Sequence, residues 1–375
     1  MGQDGQIGVV TGTLTWALCV STYNRVDLLE VCVRHALAQT RLPSEIVIVD
    51  ASPDWDGNSR RIVPMAEAAG VPIQYLPAPK KSLPAQRNHG IKAASADILF
   101  LIDDDAFLHS DCAEAIMAVY EADRDQRVAA VSASDAPLTG ADGPAAGVAA
   151  AGKTGASKAR LTEVILSRSS LARFLWVELL MMSADRVFIP YDGRWHVPDE
   201  ATVAASGLGP IHAVKTIGGY RMTVRRAMAL AEPFDNDLLA YASAEDLDAT
   251  YRFSRHGWIV QAQDARIYHH EAMAGRLKRE QSTMLGVLNV AFLLRKHSNT
   301  PVRSMIQFYV MLLRRLNAEF LKDLLSRRWA FRQFRTMCAA VPVTLGIMRQ
   351  DRSTLGPYYA PIQRRVLGLP PLSQP

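Results

Sequence analysis

The 375-residue chain is short of cysteine. It has four, Cys19, Cys32, Cys112 and Cys338, and none stands in a C-x-x-C pair. Zinc and thioredoxin-like sites therefore have no support, and Cys19 and Cys32, set among apolar neighbours, read as buried reduced thiols. Long apolar runs are lacking too. No segment reaches the ~18 uncharged apolar residues of a transmembrane helix. The nearest approach, Thr336–Met348, is too short and contains Pro342. Met1–Gly12 holds Asp4 and no basic stretch, so no secretory leader is expected. No G-x-x-x-x-G-K-[ST] phosphate loop is expected anywhere in the chain, and no G-x-G-x-x-G follows the first strand, so neither a P-loop enzyme nor a typical dinucleotide binder is expected. These absences predict a reducing, cytoplasmic protein that is not integral to a membrane.

What is present is unevenly charged. Residues 1–275 carry 25 Lys and Arg against 33 Asp and Glu, a net −8; residues 276–375 carry 17 against 4, a net +13. The 49% of hydrophobic residues is enough for a folded core and excludes disorder as the dominant state. An acidic body with a basic last quarter points to a polyanionic partner for that quarter.

Short apolar runs alternate with helical spacing along the first half. Leu14–Val20 reads as a buried strand ending at the polar turn Ser21–Arg25. A helix follows, with Asp27 as N-cap and Glu30 completing a capping box. Glu45–Asp50 is a second strand, Ala51–Asn58 a loop, Arg60–Ala69 a helix, and Ile73–Leu76 a third strand. Leu83–Ala94 is a loop running into a helix, and Asp97–Ile102 is a fourth strand that runs into Asp103-Asp104-Asp105. The alternation predicts an α/β fold with a mostly parallel sheet, whose ligand lies beyond the carboxyl ends of the strands. Those ends carry Thr22–Arg25, Asp50 with Ser52, and the aspartate triplet. A solvated turn would tolerate three adjacent carboxylates. At the mouth of such a sheet they call instead for a hard divalent cation, Mg²⁺ or Mn²⁺, and a phosphate-bearing ligand, with a nucleotide expected.

Thr22–Arg25, Ile46–Asp50, Ala85-Gln-Arg-Asn-His-Gly-Ile91 and Ile98–Asp105 together resemble the nucleotide-binding half of a family 2 glycosyltransferase with the GT-A fold, over about residues 14–133. The resemblance implies that Thr22 and Asp50 contact the nucleoside base and that Arg87 lines the nucleotide site. It implies further that Asp103 and Asp104 reach the ribose and metal region and that Asp105 binds the metal. Asp50-Ala51-Ser52-Pro53 departs from the family pattern, in which a second Asp and a Gly often follow the first Asp. No Q-x-x-R-W sequence occurs, which argues against a processive polysaccharide synthase.

The acceptor half is expected at about residues 160–275. Residues 134–160, rich in Ala and Gly, read as a loop, and Leu171–Met182, with Trp176, as a helix near the acceptor side. Gly207–Pro210 is a turn. Lys215–Arg221 leads to a helix at Val224–Leu230, a second helix begins at Ala244-Glu245-Asp246, a short strand covers Trp258–Val260, and His269 and His270 follow. By the resemblance, Asp246 is the catalytic base, with Glu245 as second choice, and His269 or His270 completes the metal shell. Alone, the acidic pair would simply favour its helix N-terminus. A sugar nucleotide has a diphosphate leaving group. A cation at Asp105 and a carboxylate base opposite it would give an inverting transfer.

Residues 281–349 read as helices whose apolar stretches end in basic clusters: Arg295-Lys-His297, Arg314-Arg315 and Arg327-Arg-Trp329. Such composition suits interfacial helices on anionic lipid, where each basic group adds ~1 kcal/mol. It equally suits a helical subdomain with a solvated basic face. No nucleic-acid-binding motif is present, so no nucleic-acid partner is expected. The whole predicts a GT-A domain over 1–275 and a basic helical region over 276–375. It would move a sugar from a nucleoside diphosphate to a glycan or lipid-linked acceptor in surface-polysaccharide synthesis, in the cytoplasm or at the inner face of the plasma membrane. The same fold could instead serve as a catalytically silent sugar-nucleotide binder or as a nucleotidyltransferase.

Overall fold

The computed structural model describes residues 13–138, 169–175, 188–272, 277–325, 327 and 329–371. The elements in chain order are β1 (Trp16–Thr22), α1 (Val26–Leu37), β2 (Glu45–Asp50), α2 (Trp55–Ala68), β3 (Ile73–Pro77), α3 (Leu83–Ala93), β4 (Ile98–Asp103), β5 (Ala106–Leu108), α4 (Cys112–Ala122) and β6 (Val128–Asp135). Then follow α5 (Ser170–Arg173), α6 (Glu200–Ala204), β7 (Ile211–Ala213), a 3₁₀ turn (Gly219–Arg221), β8 (Met222–Arg225), α7 (Arg226–Ala231), α8 (Glu245–Ser254) and β9 (Trp258–His269). Four helices close the chain: α9 (Arg279–His297), α10 (Pro301–Leu325), α11 (Arg332–Arg349) and α12 (Arg352–Leu367).

The nine strands form one sheet in the order β3-β2-β1-β4-β8-β6-β9-β5, with β7 on β9. It is mostly parallel; β5, β7 and β8 run against their neighbours. All six residues of β2 and the first five of β4 are buried. Their β-branched and leucine side chains suit a sheet covered on both faces. The register pairs Thr22 with Asp50 and Ser21 with Asp103. Three strand ends therefore finish level, as the sequence reading of one polar edge requires. One apolar core lies on each face of this sheet. A further core joins α9–α12 to Tyr251 of α8 and to Phe188 and Tyr191.

Several local expectations are corrected. Asp27 does not cap α1. Arg25 stands at the N-cap, Asp27 sits in the first turn and pairs with Arg61 at 2.7 Å, and Glu30 holds Arg34 and Arg61 instead of closing a capping box. The loop at 51–58 is shorter than expected, because Asp54 caps α2 by accepting from the Gly57 amide. The start of the helix expected at Val224–Leu230 is strand. Met222–Arg225 fills the gap between β4 and β6, and helix begins only at Arg226. The short strand at Trp258 runs on to His269. The helix expected at Leu171–Met182 begins as α5 at Ser170–Arg173, while its part from Trp176 on and most of the loop at 134–160 lie outside the described residues.

Among the four cysteines, Cys19, Cys32 and Cys112 are buried free thiols and Cys338 is exposed. Among the described residues, no helix is long and apolar enough to cross a membrane.

Candidate active site

The level strand ends open onto a cavity of about 230 Å³. Thr22, Tyr23 and Arg25 after β1, Asp103–Asp105 after β4, Lys81 and Gln86 around the start of α3, and His269 at the end of β9 line it. Leu277, Leu367 and Leu369 from the C-terminal region close its apolar side. Ser82 caps α3, accepting from the Ala85 amide. Gln86 then pins that helix to the strand ends, donating to the backbone carbonyls of Thr22 and Val49 at 2.9 and 3.0 Å.

The aspartate triplet divides by direction. Asp104 turns inward, accepting from the Thr22 hydroxyl at 2.7 Å and from Arg25 at 3.1 Å. Burial pushes its carboxyl up to about 7 against the opposing pull of Arg25. Asp103 is likewise raised by burial, despite Arg87. Burial also acts upward on Asp105, but hydrogen bonding and charge from His269, with help from Arg25, outweigh it and hold the group below its usual range. Asp103 ends β4, and Asp105 lies in the turn that follows it. With His269 they offer three ligand atoms within 4.8 Å of one another. Asp105 lies 3.4 Å from His269 Nε2 and accepts from the Ala272 amide at 3.0 Å. Two carboxylates and one imidazole are a fitting donor set for a divalent cation such as Mn²⁺ or Mg²⁺. The two crowded carboxylates supply the negative charge that such an ion would offset.

His270 is not part of this group. Successive side chains of a strand point to opposite faces, and its ring packs against Phe107 and Tyr268. His269 is held by Tyr220, whose ring stacks on it at 4.1 Å and 8°. The Tyr220 hydroxyl donates to Asp135 at 3.2 Å. Tyr220 and Arg25 were visible in their sequence segments only as neighbours. The one signal for Arg25 is that it is the sole cation at the end of β1.

Arg87 and Asp50 lie among other side chains near the strand ends. Neither lines the cavity. Asp50 is buried, and its two oxygens accept from the Ser52 amide, the Asn58 side chain and the Tyr75 hydroxyl. It therefore organises the loop after β2. Arg87 is buried between elements, donating to Glu245 at 2.6 Å, to Asp103 at 3.0 Å and to the Gly219 carbonyl at 3.1 Å. A Cβ on Gly219 would fall 2.7 Å from that guanidinium, which explains a glycine there.

Glu245 and Asp246, adjacent in sequence, have different surroundings. Glu245 is buried, with one oxygen on Arg87 and the other unpartnered, and burial drives its carboxyl up to about 8 against the pull of Arg87. Asp246 is half-buried and accepts from the Gly219 amide at 3.1 Å and from the Leu247 amide at 2.9 Å. The turn at Gly219–Tyr220 thus touches Asp246 with one residue and His269 with the next. Ala240, Ala242 and Ala244 reach α8 through left-handed backbone, φ 55°, 42° and 74°. That conformation costs about 1–2 kcal/mol per residue with a Cβ, and such strain concentrates at functional sites.

The exclusion of a phosphate loop holds at β1 but not along the whole chain. Gly147-Val-Ala-Ala-Ala-Gly-Lys153-Thr154 has the G-x-x-x-x-G-K-[ST] spacing. It lies outside the described residues, and the Pro- and Gly-containing stretch before it is not the apolar strand that such a loop needs.

Residues 17–142 match the family model described as Glycosyl transferase family 2. No match is found among curated proteins. Among solved structures, GalNAc-T7 with UDP, GalNAc and Mn²⁺ aligns at 11% identity and a TM-score of 0.51, over 76% of this chain and 48% of that one. The mannosyltransferase PcManGT from Pyrobaculum calidifontis, in complex with GDP-Man and Mn²⁺, aligns at 13% identity and a TM-score of 0.49, over 89% and 88%. Residues 1–349 of S. aureus TarS, in complex with UDP-GlcNAc, align at 14% and 0.47, over 95% and 93%. At these identities the structural likeness speaks to the fold alone.

Proposed function

We propose, from the premise that this chain is a glycosyltransferase carrying a family 2 domain at residues 17–142, that it moves a sugar from a nucleoside diphosphate to an acceptor hydroxyl with inversion. One observation supports this above others. Asp103, Asp105 and His269 converge at the sheet edge, and the Gly219–Tyr220 turn ties that group to Asp246. A divalent ion held by the three residues would act as a Lewis acid towards a diphosphate leaving group. Thr22, Tyr23, Lys81 and Gln86 line the space in which the nucleoside end would sit.

Asp246 is the base in this reading. It is accessible, and the Gly219 amide fixes its orientation, so it can take the proton from an attacking hydroxyl. Glu245 is committed to Arg87 and acts as a support for α8. Attack from the side opposite the diphosphate inverts the anomeric carbon. The UDP and GalNAc named with GalNAc-T7 favour a nucleoside-diphosphate sugar here. The acceptor is taken to be a glycan or lipid-linked sugar of a surface polysaccharide. The catalytic domain is taken as residues 1–275 and the helical region as 276–375.

Asp246→Asn tests the reading. The variant should bind the donor as the wild type does and lose transfer by roughly 10²–10⁴-fold, the usual worth of a general base. Unimpaired transfer would remove Asp246 from the role. Release of pyrophosphate instead of nucleoside diphosphate by the wild type would identify a nucleotidyltransferase. Binding without turnover of any UDP-, GDP- or dTDP-sugar would identify a silent binder.

A further inference from the structure

The longest of the C-terminal helices, α10, leaves one side uncovered. Its inner side packs Phe308, Met311 and Leu312 into the helical core. On the other side Ile306, Val310, Leu313, Phe320 and Leu324 recur at steps of four, three, seven and four residues, each between 37% and 60% exposed. That spacing makes a single stripe, running roughly 27 Å along the helix. It ends in aromatic side chains. Phe320 stacks on Phe331 at 5.4 Å, and Trp329, 68% exposed, meets Phe331 edge-on at 6.4 Å.

The charge around the stripe has one sign. Residues 301–335 hold eight Lys and Arg and two Asp and Glu. Both acids turn inward: the Glu319 side chain is 18% exposed and Asp323 is buried. Arg303, Arg327, Arg332 and Arg335 are exposed. An apolar stripe with flanking arginines and a terminal tryptophan is the composition of a helix lying in a bilayer interface.

We propose that this face of α10, with the Trp329–Phe331 turn, docks on an anionic lipid surface. A second copy of the chain could match the spacing, and Asn317 within the stripe would suit a paired helix. Self-pairing, however, would set one strongly basic face against another, with Glu280, 3.9 Å from Arg332, offsetting little of that charge, and like-charge juxtaposition is unfavourable. Anionic headgroups neutralise the same arginines while the stripe enters the acyl boundary. The inference does not rest on the donor reaction.

Flotation of the full chain with vesicles tests it, using phosphatidylcholine alone and phosphatidylcholine with about 30% phosphatidylglycerol. The anionic vesicles should bind at least about tenfold more tightly, less so as salt is raised. The double variant Ile306→Asp/Leu313→Asp should lose at least about tenfold of that binding. Both substitutions are at exposed positions, so its circular dichroism, melting temperature and turnover in lipid-free solution should stay at wild-type values. Equal binding to both vesicle types, no binding, or binding that the double variant keeps would overturn the proposal. So would a wild-type dimer that the double variant splits without any lipid binding, since that result assigns the face to a second copy.

Discussion

The Arg87 guanidinium donates to Glu245 at 2.6 Å. Through its second nitrogen it also reaches Asp103 at 3.0 Å, so one buried cation from α3 joins the end of β4 to the start of α8. Those two elements carry the two halves of the proposed site, the carboxylates proposed to hold a cation and the proposed base. Their spacing is therefore set by an ion-pair network, not by loop conformation alone.

Arg87→Met should be costly. It strands Glu245 and Asp103 without their counter-ion, and breaking such a buried pair costs about 3–5 kcal/mol. Urea unfolding measures this. Arg87→Lys should recover only part of the loss, because an ammonium cannot reach Glu245, Asp103 and the Gly219 carbonyl with a planar fork. A change below about 1 kcal/mol for Arg87→Met would contradict the bridging role.

The two adjacent histidines should behave differently. His269→Ala should weaken Mn²⁺ binding at least about tenfold, as loss of a ligand or of its support does. Tyr220→Leu, which removes the stacked ring, should give a smaller loss of the same kind. His270→Ala should leave Mn²⁺ binding unchanged and cost about 1 kcal/mol through its aromatic contacts. Isothermal titration with Mn²⁺ and nucleoside diphosphate separates the three.

The C-terminal region should be felt at the donor site. Leu367 and Leu369 wall the cavity although they lie more than 250 residues from Asp105 in sequence. Leu369→Asp places a charge beside a diphosphate-binding space and should raise the donor KM about tenfold with kcat nearly unchanged, about 1.4 kcal/mol of binding lost equally from ground and transition states. Steady-state kinetics over a donor series reads both constants.

Acid should loosen the junction between α9 and the catalytic body. Lys296 lies 2.8 Å and His297 3.4 Å from Asp235, in the segment between α7 and α8. Burial pushes the Asp235 carboxyl upward, but hydrogen bonds and charge from His297 and Lys296 prevail and hold it far below the ordinary carboxylate range. A depressed folded pKa contributes stability that is complete above the unfolded value, about 3.9. The contribution fades as pH falls towards the folded value. Between pH 7 and pH 3 the wild type should therefore lose about 1 kcal/mol that Asp235→Asn never had, since pH 3 is only about 0.9 of a unit below the unfolded value. Denaturant titrations at the two pH values check the difference.

The sheet edge was legible because buried apolar runs stop abruptly at polar residues: Val20 before Ser21, Val49 before Asp50 and Ile102 before Asp103. Level strand ends then follow from parallel pairing. β8 was not legible. Met222–Arg225 is only four residues long, and helix-forming residues follow it at once, so its strand state comes from the gap it fills. The length of β9 was hidden by Gln261, Gln263 and Asp264, which interrupt the apolar pattern although the ladder continues. The choice between His269 and His270 depends on that ladder, because only its phase decides which ring faces Asp105. The inward turn of Arg87 was hidden for a similar reason, since its partner Glu245 lies 158 residues away. A helical pattern shows that α10 has an apolar side but not which sides find partners.

Release of nucleoside diphosphate from UDP-, GDP- and dTDP-sugars, with and without Mn²⁺, tests the central claim most directly when wild type is set beside Asp103→Ala and Asp105→Ala. At least one donor should turn over in the wild type, only with the metal, and each variant should lose at least about a hundredfold of that rate, some 2.7 kcal/mol of transition-state stabilisation. Turnover that ignores Mn²⁺, or that survives both substitutions, would contradict a metal-assisted transfer at this sheet edge.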